Sequence, residues 1–182
     1  MRRPAVGDKG HPSIDKVWVS SLLQASVGCV NATILLCDAA VVSEAKLFVL
    51  GGGWSLVGPG PTPMAIALKM DVDYNTVEEE HHWELFLEEP DGTAVIFETP
   101  DGPRPVEVRG DFRVGTPDGI PPGAEIPVNI AINLGPLPLE PGKRFIWRLT
   151  IDGTADDHWS ASFATRAMPQ VAPVPGLRIV ES

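Results

Sequence analysis

Asn31-Ala32-Thr33-Ile34-Leu35-Leu36-Cys37-Asp38 and Lys46-Leu47-Phe48-Val49-Leu50-Gly51-Gly52-Gly53-Trp54 are two apolar runs separated by the short link Ala39–Ala45. Each is bounded by polar or glycine residues, the pattern of a strand with at least one face fully covered. The link is too short for a crossover helix. The sequence therefore predicts that the two runs pair antiparallel, as the first strands of an all-β core.

Strand and turn signals alternate from there on. Gly58-Pro59-Gly60-Pro61-Thr62-Pro63 cannot be helical, because proline fixes φ and removes the amide donor. Ile66, Leu68, Met70 and Val72 alternate with Ala65, Ala67, Lys69 and Asp71, which predicts a half-buried strand, and Asp73–Glu80 follows as an acidic loop. Trp83, Leu85 and Leu87 alternate with His82, Glu84 and Glu88, and Pro90-Asp91-Gly92 is expected to fold this strand back onto Thr93–Glu98. The same Pro-Asp-Gly turn chemistry recurs at 100–102 and 117–119, without matching flanks, so it is not a solenoid repeat.

Val106–Val108 and Asp111–Val114 read as short edge strands. Ile126–Leu134 alternates throughout, and Arg144–Ile151 places Phe145, Trp147, Leu149 and Ile151 on one face. Trp159, Ala161 and Phe163 mark the last strand. About eight strands in roughly 135 residues is the spacing of a two-sheet antiparallel β-sandwich of Ig-like, C2-like or jelly-roll-like kind. The domain is expected over residues 30–167, with a proline-rich tail over 168–182.

Residues 1–29 differ in character. Pro4, Gly7, Gly10 and Pro12 break regular structure, and Ile14, Val17, Trp18, Leu22 and Ala25 then fall at helical spacing, predicting a short amphipathic helix after Ser13. Arg2-Arg3 and Ser26-Val27-Gly28-Cys29 raise an export or lipoprotein signal as the alternative. It matches poorly: serines and Gln24 interrupt the apolar segment, and Asp8 and Asp15 sit in what should be a basic flank.

A chain of 182 residues can bury a core without disulfides or a structural metal. Its 19 prolines and 18 glycines are spread among apolar runs, which fits many strands joined by tight turns rather than a disordered chain. The formal charge of −10 argues against nucleic acid and against anionic membrane surfaces, since both partners are themselves negative. Cys29 and Cys37 make no disulfide framework, and Cys37 reads as a small buried hydrophobe, so a cytoplasmic setting is expected.

Candidate chemistry is sparse. Asp71-Val72-Asp73-Tyr74-Asn75 opens like a calcium loop but carries Thr76 and His82 where glycine and glutamate are required. A looser C2-type arrangement remains, in which Asp71, Asp73, Asp152, Asp156 and Asp157 converge from two loops at one end of the sandwich, against the plainer reading of carboxylates on exposed turns. His81 and His82 are adjacent, and neighbouring strand residues point to opposite faces, so they are not expected to share a metal ion. Ser55 lacks a nucleophile elbow, and Gly51-Gly52-Gly53 lacks the lysine and helix of a phosphate loop, so no catalytic residue and no cofactor are predicted. Those glycines are expected at a bulge or a close backbone approach at a corner. Trp54 and Trp159 read as strand-end residues, with burial of at least one preferred over a sugar-stacking or partner-binding surface.

Leu36-Cys37-Asp38-Ala39, Lys46–Trp54 and Ile151-Asp152-Gly153 resemble a family of small β-rich actinobacterial proteins with no assigned activity. The resemblance covers about Asn31–Thr165 and places the usual start of the family near Val30, which implies that residues 1–29 are an upstream extension from a misassigned start codon. Three functional readings stand: a non-enzymatic module that binds another protein or serves a structural role, a calcium- or ligand-binding C2-like module, and a hydrolase using carboxylates across a cleft.

Overall fold

A computed structural model describes residues 30–116 and 118–169. The described residues are all-β and fold as a sandwich. Its strands are β1 (Val30–Cys37), β2 (Ala39–Ser43), β3 (Lys46–Leu50), β4 (Leu56–Val57), β5 (Met64–Val72), β6 (Glu80–Glu88), β7 (Ile96–Thr99), β8 (Gly102–Pro105), β9 (Glu107–Arg113), β10 (Ile126–Leu134), β11 (Arg144–Ile151) and β12 (Thr154–Thr165). One sheet has the order β1-β5-β10 and the other β4-β12-β11-β6-β9, while β2-β3 and β7-β8 form separate two-stranded ribbons. The two main sheets thus hold eight strands and the two ribbons four more.

The period-2 segments lie where the sequence puts them. Ile66, Leu68, Met70 and Val72 of β5 face Trp83, Leu85 and Leu87 of β6 and Phe145, Trp147, Leu149 and Ile151 of β11 across one continuous core, with Trp159 and Phe163 of β12. Burial of this kind contributes about 1.5–3 kcal/mol for each large apolar side chain. Trp147 is wholly enclosed. Trp54 also packs against this core, edge-on to Phe163 at 5.8 Å and 85°. Both tryptophans are therefore packing residues, and Trp159 lies inside β12 rather than at a strand end.

The first pairing differs from expectation. β1 pairs with β5, not with β3, in the register Val30↔Val72 to Cys37↔Ala65. The supposed link Ala39–Ala45 contains β2, which is the true partner of β3, with Ser43↔Lys46 closing a two-residue turn. That turn is Glu44-Ala45, both at positive φ (51° and 57°), a conformation normally given to Asn and Gly. Its residue types conceal it, and so the strand before it reads as connector.

Three further differences are local. Thr93–Glu98 folds back on the end of β6 at the predicted Pro-Asp-Gly turn, through the Glu89 amide on the Thr93 carbonyl, the Glu88↔Ala94 bridge and the Val95 amide on the Leu87 carbonyl. From Ile96 on, however, it leaves as β7 to pair with β8. The two predicted edge strands merge into β9, continuous because Gly110 lets the backbone pass the Trp83 indole, where a Cβ would meet the ring at 3.1 Å. β4 runs parallel to β12, so that one short pairing departs from the antiparallel rule. The acidic loop holds one 3₁₀ turn, Tyr74–Thr76, capped by the Asp73 carboxylate on the Asn75 amide. The predicted helix and start site within 1–29, Pro117 of the third Pro-Asp-Gly, and the tail from residue 170 on lie outside the described residues, while Asp118 and Gly119 lie in a turn with Gly119 at φ 81°.

Candidate functional site

The β2–β3 ribbon lies flat on the outer face of the three-stranded sheet. Small residues make room for it: Ala65 and Ala67 of β5 and Ala131 of β10, with Cys37, form a second apolar cluster against Ala40 and Leu47. The thiol of Cys37 donates to the Ala65 carbonyl at 3.4 Å, and burial pushes its pKa up, which keeps it protonated and unreactive. Asn133 holds the ribbon's edge as a strand would. Its amide oxygen accepts from the Ala40 amide at 3.1 Å, and its nitrogen donates to the Ala40 carbonyl at 2.8 Å. Asn129 donates to the Ala45 carbonyl at 2.8 Å and fixes the turn.

Alternation then sends the other ribbon face to solvent. Val41 and Phe48 are paired neighbours and remain 57 % and 54 % exposed, and Leu50, beside Ala39, is 70 % exposed. Leu35 and Val49 extend the patch at its rim, both against Gly52. A hollow of about 300 Å³ opens between Ala39, Ala40, Val41, Phe48, Val49 and Leu50. The only charged residues on the ribbon are Glu44 and Lys46, both at its tip, although the chain as a whole carries −10. At the base, Gly51 sits at positive φ (61°) over Asp38, so close that a Cβ would run into the carboxylate. The glycine run is thus the close backbone approach expected from sequence.

The acidic candidates are each engaged locally. Asp71 pairs with Lys69, and the Asp73 carboxylate accepts from the Asn75 backbone and side-chain amides at 2.7 Å. Asp152, at φ 52°, begins the Asp-Gly turn between β11 and β12, and its carboxylate meets His81 Nδ1 at 2.7 Å and accepts from the His82 amide at 2.8 Å. Asp156 accepts from the His158 amide at 2.8 Å, which holds its pKa down. Asp157 is exposed near the irregularity in β12. The turns after β5 and β11 do share one end of the sandwich, yet among the described residues no three His, Cys, Asp or Glu side chains come together as metal ligands would.

The adjacent histidines diverge as strand geometry requires. His81 continues the core face of β6, stacked on Phe112 at 5.1 Å, with Nε2 buried and unbonded. His82 points outward to Asp111, 2.5 Å away, and that carboxylate raises its pKa. At the opposite end a cleft of about 260 Å³ runs between the β7 segment and the 138–145 stretch. Lys143 stands in it between Glu140 at 2.9 Å and Glu89 at 3.2 Å, which raise its pKa in that order. Each carboxylate there already has a cation, unlike an acid–base pair awaiting substrate.

A family model, DUF6941, covers residues 32–161 and carries no known function. The chain belongs to that family. The match takes in the ribbon, Asp38, the glycine run and the Asp152-Gly153 turn, and it ends within β12. No curated protein and no solved structure matches the chain. Among the described residues no helix is long and apolar enough to cross a membrane.

Proposed function

We propose that this protein is a non-enzymatic, cytoplasmic binding module whose working surface is the outward face of the β2–β3 ribbon. The observation that carries this reading is the pair Val41 and Phe48 with Leu50, large apolar side chains left more than half exposed on a ribbon that the sandwich itself anchors. A contiguous apolar face on an otherwise strongly acidic surface is what a protein partner recognises, since its burial supplies the driving force for association. Small-residue packing beneath and the Asn133 clamp at the edge hold the face in place, which lowers the ordering cost of binding.

The test is an affinity capture from the native host with the tagged full chain, with and without calcium, beside Phe48→Asp. The expected result is one stoichiometric partner in both conditions that is lost with Phe48→Asp. A partner retained by the variant, or captured only with calcium, overturns the assignment and moves attention to the acidic loops.

A further inference from the structure

β3 is the free edge of the ribbon. Ser43↔Lys46 closes the two-residue turn, so Ser43, Val41 and Ala39 exchange backbone bonds with Lys46, Phe48 and Leu50. By alternation, the amides and carbonyls of Leu47 and Val49 point away from β2, and among the described residues they meet no hydrogen-bond partner. The opposite edge, at Ala40, is closed by Asn133. Apart from Lys46 at its start, the outer edge carries no proline and no inward charge, and among the described residues no loop covers it.

We propose that this edge pairs with β3 of a second copy of the chain, antiparallel and about a two-fold axis through Phe48, giving a four-stranded sheet across a symmetric dimer. The proposal deepens the reading of the ribbon as a binding surface and rests on it. Two features select a copy rather than an unrelated strand. The first is hydrogen-bond phase: centring Phe48 on Phe48 of the second copy sets each Leu47 opposite Val49 of the other, so every outward amide and carbonyl finds a partner. The second is charge. In that register Lys46 lies opposite Leu50 of the second copy, one residue from Gly51, over which the Asp38 carboxylate lies, so the exposed Lys46 ammonium comes within reach of the second copy's Asp38.

Sedimentation velocity of the full chain, from low micromolar to submillimolar concentration, decides the matter. The expected result is a reversible monomer–dimer equilibrium that stops at the dimer, because a two-fold contact closes on itself. Phe48→Asp sets two carboxylates against each other on the axis and should weaken the dimer about 100-fold or more. Val49→Pro removes an amide that the monomer leaves unbonded and alters a side chain packed beside Gly52, so it should lower the melting temperature only slightly while abolishing the dimer. Lys46→Glu should weaken the dimer about tenfold. A monomer at every concentration, a dimer untouched by Phe48→Asp and Val49→Pro, or open-ended growth overturns the proposal. A monomer that still captures another protein through Phe48 leaves the module reading standing, whereas a monomer whose captures ignore Phe48 ends both.

Discussion

At the scale of single residues, Gly110 and His82 show how little the identity of a side chain says without its neighbours. Gly110 lies in the interior of β9 opposite Trp83, where glycine would ordinarily weaken a strand. Here the missing Cβ is the space occupied by the indole, 3.1 Å from where that carbon would stand. Gly110→Ala is therefore expected to cost about 1–3 kcal/mol through forced repacking of Trp83, read by urea denaturation, together with a change in tryptophan fluorescence. Full stability in the variant would mean that the indole shifts freely. His82 shows the electrostatic counterpart. Its folded-state pKa is raised, first by the hydrogen bond to Asp111. The stabilisation is fully present below the unfolded value of about 6.5 and is lost as pH rises through the higher folded value. Thermal melts should show Asp111→Asn less stable than the parent under mildly acidic conditions, with the gap closing in mildly alkaline buffer. Because the pair is exposed, salt should shrink the effect. An equal gap at both ends of the pH range would assign the loss to something other than His82.

At the scale of elements, legibility follows from how each strand is specified. β5, β6, β10, β11 and β12 each bury one face against the opposite sheet, so their apolar residues recur with period two and the sequence announces them. β2 has no such pattern, because its inward side rests on alanines and its outward side remains apolar as well. The Glu44-Ala45 turn gives no signal either. Hence β1 reads as the partner of β3, although its long apolar run finds a far larger covered face in β5. The apolar ribbon face was invisible for the same reason, since exposure is decided by which strand covers which. Two predictions belong to this element. Ala45→Gly relieves a left-handed alanine and should stabilise the chain by about 0.5–1 kcal/mol in thermal or urea denaturation. Asn133→Ala removes both bonds to the Ala40 backbone, a loss of about 1–3 kcal/mol locally. Hydrogen exchange should then speed up at Val41 and Phe48, whose amides close the ribbon, while Leu85 and Leu149 keep their protection. Uniform acceleration across the chain would show instead that the ribbon and the sandwich unfold together.

At the scale of the whole molecule, stability and recognition occupy different layers. The two main sheets are held by the core around Trp147, Leu149, Leu85 and Ile66, and the ribbon is a third layer added over alanines. Substitutions should therefore separate the two. Leu149→Ala creates a cavity in a site with no exposed surface and should cost about 2–5 kcal/mol. In a chain of this size each kcal/mol moves the melting temperature by about 2–4 °C, so a fall of roughly 4–20 °C follows. Phe48→Asp exchanges an exposed apolar group for a charged one on a surface already facing water, and its melting temperature should stay within about 2 °C, the range of ordinary surface changes. Differential scanning calorimetry at a concentration where both proteins are monomeric makes the comparison. At higher concentration the parent should gain stability that Phe48→Asp does not, because association stabilises only the folded chain. If instead Phe48→Asp melts early at every concentration, the ribbon is part of the folding core, and its exposed face is packing left incomplete rather than a surface kept for a partner.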